Sequence, residues 1–131
     1  GLGKVKTNID SGVFQAVQYA GVEALLRNGG IPEQLSNIYQ KRRDQVIEGL
    51  RSCGLDPFVP RAAFYVWCPV PDGMDSKAFA RKLLAEAGVV VTPGVGFGAH
   101  GEGYFRITLT QSEEKLAEAL VRIQGVAKEL W

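Results

Sequence analysis

The chain has 131 residues, one domain's worth and enough to bury a core without disulfides or a metal. Its 15 Lys and Arg nearly balance 14 Asp and Glu, and a formal net charge of +1 leaves no electrostatic footprint for nucleic acid or an anionic membrane. No apolar run nears the ~20 residues that span a bilayer, and "GLGKVKTNID" lacks the apolar core of a signal peptide, so the expectation is a soluble, cytoplasmic protein.

In chain order, Val13, Phe14, Val17, Ala20, Ala24 and Leu25 recur at helical spacing after the capping candidates Asp10 and Ser11. The pattern predicts an amphipathic helix from Val13 to Leu26, closed by Gly29 and Gly30. Pro32 suits the first turn of a second helix, with Leu35, Ile38, Tyr39, Val46 and Leu50 facing inward and Gly54 as its stop. Beyond the turn at Asp56 and Pro57, "FVP" and "AAFYVWCPV" are rich in aromatic and β-branched residues and predict two strands. "DSKAFARKLLAEAG" predicts a short helix capped by Asp75 or Ser76, with Phe79, Leu83, Leu84 and Ala87 inward and Gly88 at its end. "VVV" predicts a short buried strand, and Tyr104 to Thr110 another. Ser112 caps a last helix whose stripe is Leu116, Leu120, Ile123 and Ala127, with Glu113 and Glu114 well placed in its first turn. The order ααββαββα is an α+β domain: helices packed on a small, mostly antiparallel or mixed sheet.

Cys53 and Cys68 lack CxxC spacing, and His100 alone cannot complete a metal cluster with them, so reduced thiols and no metal site are expected. Strand alternation sets Phe105, Ile107 and Leu109 on one face and Tyr104, Arg106, Thr108 and Thr110 on the other. A guanidinium there offers a rigid fork suited to a carboxylate, or else pairs with Glu102 or water. The preceding "GVGFGAHGEG" leads into a strand, whereas a phosphate-cradling glycine loop leads into a helix, so a dinucleotide site is a poor reading. His100 within it reads as a solvent-facing polar residue.

"VVVTPGVGFGAHGEGYFRITLT" resembles the C-terminal signature of the class I/II, fold-type I pyridoxal-phosphate aminotransferases: a strand, "PG..FG", "GEGY" and then "RI.L". Upstream, "TNIDSGVFQAVQYAGVEALL" is similar to the segment that opens the small domain of that family, and "KRRDQVIEGL…GL…P.AAFYVWCPVP" to the helix and strands that follow it. The match spans essentially the whole chain in order. "KTNIDSGVFQAVQYA" and "FYVWCPVP" resemble most the branch that acts on LL-diaminopimelate, in lysine biosynthesis.

The resemblance implies that Gly1 to Trp131 is the C-terminal small domain of a longer enzyme, with a large cofactor-binding domain preceding it. It further implies amino-group transfer between an amino acid and a 2-oxo acid, homodimeric assembly, and Arg106 as the residue that binds the substrate α-carboxylate. Phe64 and Tyr65 fall on the substrate side, or else are core aromatics. Asn8 to Ser11 match a loop near the dimer interface, or else cap a helix. None of Lys4, Lys6, Lys41, Lys77, Lys82, Lys115 and Lys128 sits in the serine-lysine motif that carries pyridoxal 5′-phosphate in the family. The chain alone is therefore expected to hold no cofactor, to supply no catalytic residue and to be inactive. Without the resemblance, the residues fit an independent carboxylate-binding or dimerisation domain that performs no catalysis.

Overall fold

A computed structural model describes residues 1–27 and 29–130. Two compact units make up the chain, Gly1–Leu35 and Ser36–Trp131. The first carries α1 (Leu2–Ile9) and α2 (Gln15–Leu26) and buries no described residue. Helix α1 is not anticipated by the sequence pattern, and it changes the role of Asp10. That residue is the C-terminal cap of α1, its Oδ1 accepting from the Gly12 N–H at 2.8 Å and from Lys6 Nζ at 2.5 Å. Helix α2 starts instead after Phe14, without a side-chain cap. Its expected inward stripe is exposed, with Phe14 at 76% and Leu25 at 80%, because nothing within this unit covers it.

Helix α3 runs over Ile31–Ser52 and buries Val46, Ile47 and Leu50, while Leu35 and Ile38 remain exposed. Gly54 ends it as expected: φ is +82°, the Gly54 N–H donates to Arg51 O, and the Leu55 N–H donates to Leu50 O. These are the two bonds of a Schellman ending, which needs a left-handed residue at that position. At Gly49 a Cβ would meet the Leu120 side chain at 2.6 Å, so this glycine lets α3 approach the last helix closely.

Only one strand follows in place of two, β1 (Tyr65–Pro69). "FVP" contributes a single rung, Phe58 N–H to Trp67 O at 2.9 Å, because Pro57 and Pro60 on either side have no N–H to donate. Helix α4 (Ser76–Lys82) is capped by Asp75, whose Oδ1 accepts from the Ala78 N–H, and continues as a π-helical turn over Leu83–Ala87 to Gly88 at φ +64°. Phe79, Leu83 and Ala87 are buried at steps of four, and Leu84 falls outside that stripe into solvent. "VVV" is not a strand: Val91 is buried, Val90 is 80% exposed, and pairing begins one residue later in β2 (Thr92–Pro93).

Strand β3 (Tyr104–Thr108) lies centrally in an antiparallel sheet of order β1-β3-β2, and α5 (Glu113–Leu130) closes the chain. Register pairs Trp67 with Arg106 and Cys68 with Phe105 across β1, and Thr92 with Arg106 across β2. Val66, Cys68 and Phe105 therefore share one face, which is fully buried against Phe79, Leu83 and Leu50. Phe79 and Phe105 stack at 4.7 Å. Leu116, Ile123 and Ala127 of α5 complete this core as the periodicity predicts, with Leu120 partly buried. The α+β class with an antiparallel sheet stands, with one helix more at the start and one strand fewer in the middle. Among the described residues no helix is long and apolar enough to cross a membrane.

Candidate functional site

The face of the sheet opposite the core carries Tyr65, Trp67, Tyr104, Arg106 and Thr108, none of them fully buried. Arg106 sits near the middle of the central strand, so hydrogen-bonded neighbours on both sides fix its backbone. Its guanidinium carbon lies 3.9 Å from the centroid of the Tyr65 ring and 4.1 Å from that of Phe97. Both are close cation–π distances, and at that range no anion fits between ring and guanidinium.

Arg106 makes no ion pair among the described residues. In particular it is not paired with Glu102. That carboxylate turns to the start of α4 instead, where Oε1 accepts from the Ser76 N–H at 2.7 Å and Oε2 from Ser76 Oγ at 3.0 Å. Oε1 also accepts from the Gly103 N–H at 2.9 Å. The N–H bonds from Ser76 and then Gly103 hold the Glu102 carboxyl below its ordinary value of 4.5, since they favour the charged form. Ser76 itself is fully buried, and its Oγ accepts from the Val95 N–H. The carboxylate fastens the far end of the glycine loop to the first turn of α4, and Ser76 Oγ fastens the near end at Val95.

The loop is tighter than its composition suggests. It forms 3-10 turns over Gly94–Phe97 and Ala99–Gly101, and the chain crosses itself between them. A Cβ at Gly94 would stand 2.0 Å from Gly101 O, and one at Gly101 would stand 2.0 Å from Gly94 O. Glycine is required at both positions because backbone passes backbone there. The crossing, with Gly98 at φ +109°, sets Phe97 on Arg106 and edge-on to Trp67, at 5.2 Å and 68°.

Of the residues singled out from the sequence, Arg106 and Tyr65 meet directly. Phe64 stands one ring further out, 4.6 Å from Tyr65 and 5.7 Å from Tyr39, and is 40% exposed. Phe97 and Trp67 were not singled out. Trp67 becomes legible only once the β1–β3 register is known, and Phe97 only once the loop crossing is known. Phe58, Trp67, Phe97, His100, Gly101 and Tyr104 border an open cleft of about 430 Å³, which Arg106 itself does not line. A separate cavity of about 290 Å³ against α5 is mostly apolar and includes neither Arg106 nor its two rings.

Asn8 lies in α1, where Nδ2 donates to Lys4 O. Both cysteines are buried thiols, and burial pushes the Cys68 thiol up to about 12. Neither is poised for chemistry at neutral pH.

The model for "Aminotransferase class I and II" matches residues 3–123. The chain belongs to this aminotransferase family. Among curated relatives, LL-diaminopimelate aminotransferase of Syntrophobacter fumaroxidans is 56% identical over 97% of this chain and 33% of its own length. The protein of the same name from Moorella thermoacetica is 50% identical over 95% of this chain and 32% of its own. The chain thus spans about a third of the length of the curated aminotransferases it matches. Among solved structures, an aminotransferase from Staphylococcus aureus superposes with a TM-score of 0.88 and 34% identity, covering 98% of this chain and 34% of that one. Aspartate aminotransferase from Thermus thermophilus with maleate gives 0.84 and 35% over 94% of this chain and 32% of that one. These aminotransferases share the α+β arrangement described above.

Proposed function

We propose that the chain is the C-terminal small domain of a pyridoxal-phosphate aminotransferase, and that Arg106 binds the α-carboxylate of its substrates. One observation carries this reading: a strand-borne guanidinium with aromatic rings against it and no acid partner among the described residues. A planar fork held in that way matches a planar carboxylate in two parallel charge-assisted bonds. Tyr65 holds the fork in place, and Phe64 backs Tyr65. The amino donor is LL-diaminopimelate, by kinship with the relatives of that name, and the acceptor is a 2-oxo acid. The Thermus aspartate aminotransferase was solved with maleate, a dicarboxylate, which accords with this reading.

Pyridoxal 5′-phosphate supplies the electron sink for such transfers. No lysine lies on β1, β2, β3 or the glycine loop, so the residues around Arg106 do not supply the amine that anchors this cofactor. We assign that amine and the phosphate-binding groups to the two thirds of the enzyme that the relatives have and this chain does not span. The chain's own contribution is to bind and orient the substrate, which can remove much of the entropic cost of reaction. The exposed apolar residues of α1 and α2, Leu2, Ile9, Phe14, Leu25 and Leu26 among them, fit burial against that remainder in a cytoplasmic homodimer.

The test is Arg106→Ala in the full-length enzyme. Loss of a charge-assisted bidentate contact should lower kcat/KM by about 3 kcal/mol, roughly a hundredfold. An unchanged kcat/KM would refute the assignment.

A further inference from the structure

Strand alternation sends neighbouring side chains to opposite faces, yet the rings of Phe64 and Tyr65 pack 4.6 Å apart, at 46°. Phe64 lies one residue before β1, and Ala63 ahead of it has φ +72°, the only positive value at a non-glycine among the described residues. A left-handed alanine is strained, and such strain persists only where the surrounding structure enforces it. Part of that enforcement comes from α3. Its Tyr39 ring lies 5.7 Å from Phe64, at 35°. One turn further on, Arg42 Nη1 donates to Leu109 O at 3.1 Å, and the Leu109 N–H donates to Phe64 O at 2.9 Å. The helix is therefore tied to Phe64 twice, at its ring and through Leu109 at its backbone.

The contacts continue to the site. Tyr39, Phe64 and Tyr65 follow one another, and the guanidinium carbon of Arg106 is 3.9 Å from the last centroid. Tyr39 packs against the core that α3 shares with the buried face of the sheet, whereas Tyr65 and Arg106 stand on the other face. Three rings thus carry contact from a helix on one side of the sheet to a cation on the other. From Ile31 to Gln40 every residue but Tyr39 is exposed, so the first half of α3 makes its packing contact through this side chain. We infer that Tyr39 is a positioning residue for Arg106, fixing through Phe64 and Tyr65 the place at which the substrate carboxylate binds. This rests on Arg106 being the carboxylate-binding group.

The experiment measures kcat and KM for LL-diaminopimelate with the full-length enzyme. Tyr39→Leu removes the first ring and should raise KM about fivefold with kcat little changed, as for loss of binding that ground and transition states share. Tyr39→Phe keeps the ring and should restore the wild-type KM. Phe64→Leu, at a more exposed link, should reproduce the effect of Tyr39→Leu, and the two together should do no more than either alone. In an Arg106→Ala background Tyr39→Leu should leave kcat/KM unaltered, whereas a general loosening of the fold would lower it in both backgrounds. An unchanged KM in Tyr39→Leu, or an equal loss with and without Arg106, overturns the inference. If Arg106→Ala leaves kcat/KM unchanged, the parent reading falls and this one with it. If Arg106→Ala lowers kcat/KM while neither Tyr39→Leu nor Phe64→Leu raises KM, the role of Tyr39 alone is overturned.

Discussion

The two faces of the β1–β3 ladder are built from alternate residues of the same strands, and they are stabilised in different ways. On the core face Val66, Cys68 and Phe105 are sealed from water by α3, α4 and α5, and their position follows from burial of apolar surface. On the open face Arg106 keeps its charge at the surface and is located by ring contacts and by a loop fastened elsewhere. One face is defined by what it excludes and the other by what it leaves free. A domain of this size thus holds a preorganised cation without burying it, and desolvation does not erode the charge that a ligand would need.

The largest test of this contrast substitutes neighbours in sequence that point to opposite faces. Phe105→Ala should cost about 4 kcal/mol of stability, the cavity left by a fully buried aromatic. Arg106→Ala, one residue away, should stay within about 1 kcal/mol, since its side chain is partly in solvent and its loss leaves no buried group unpaired. Urea midpoints measure both. Similar losses for the two variants would mean that the open face is structural, and that its arginine is not kept for a ligand.

A smaller effect tests whether the loop is a fixed platform. Gly101→Ala puts a Cβ 2.0 Å from Gly94 O, and backbone on both sides must move. The expected cost is about 1–3 kcal/mol, as for overpacking. Gly96→Ala is the control: a Cβ there meets nothing within 4 Å, so it should be nearly neutral. Equal, negligible effects at the two glycines would show that the chain crossing does not hold Phe97.

Local signals were readable in advance, and features that depend on a covering layer were not. The Gly54 stop, the α5 stripe and the alternation that sets Arg106 opposite Phe105 all follow from short-range spacing. The inward stripe expected of α2, and Leu35, Ile38 and Leu84, proved exposed, because periodicity says which residues share a side and not whether anything packs on it. Helix α1 was missed although Leu2, Val5 and Ile9 recur at helical steps, because "GLGKVKTNI" is short and has glycines at its start. The tightness of the glycine loop is not legible in the sequence for a related reason. Its glycines serve a contact between positions 94 and 101, and no local pattern announces where a chain will pass itself. The role proposed for Arg106 rests on the family motif, whereas the rings against it emerged from the geometry.

The finest distinction between the faces is electrostatic and turns on Glu102. Its carboxyl is held low by the Ser76 and Gly103 N–H groups, so the folded state binds this proton less readily than the unfolded chain. Stability from the group is therefore fully present above the ordinary carboxyl value of 4.5 and is lost as pH falls through the lower folded value. Asp10 and Glu114 are lowered as well, so the wild-type acid profile alone does not isolate this contribution. The difference between wild type and Glu102→Gln does: Tm should favour wild type at neutral pH, and the gap should close on acidification. The effect is the smallest of the three because the carboxylate is exposed and water screens it. Core-face contacts carry no charge, so Phe105→Ala should show a deficit that stays level over the same range. A Glu102→Gln gap equally level with pH would mean that the loop is held by shape alone, and that the open face is assembled by the same apolar packing as the core.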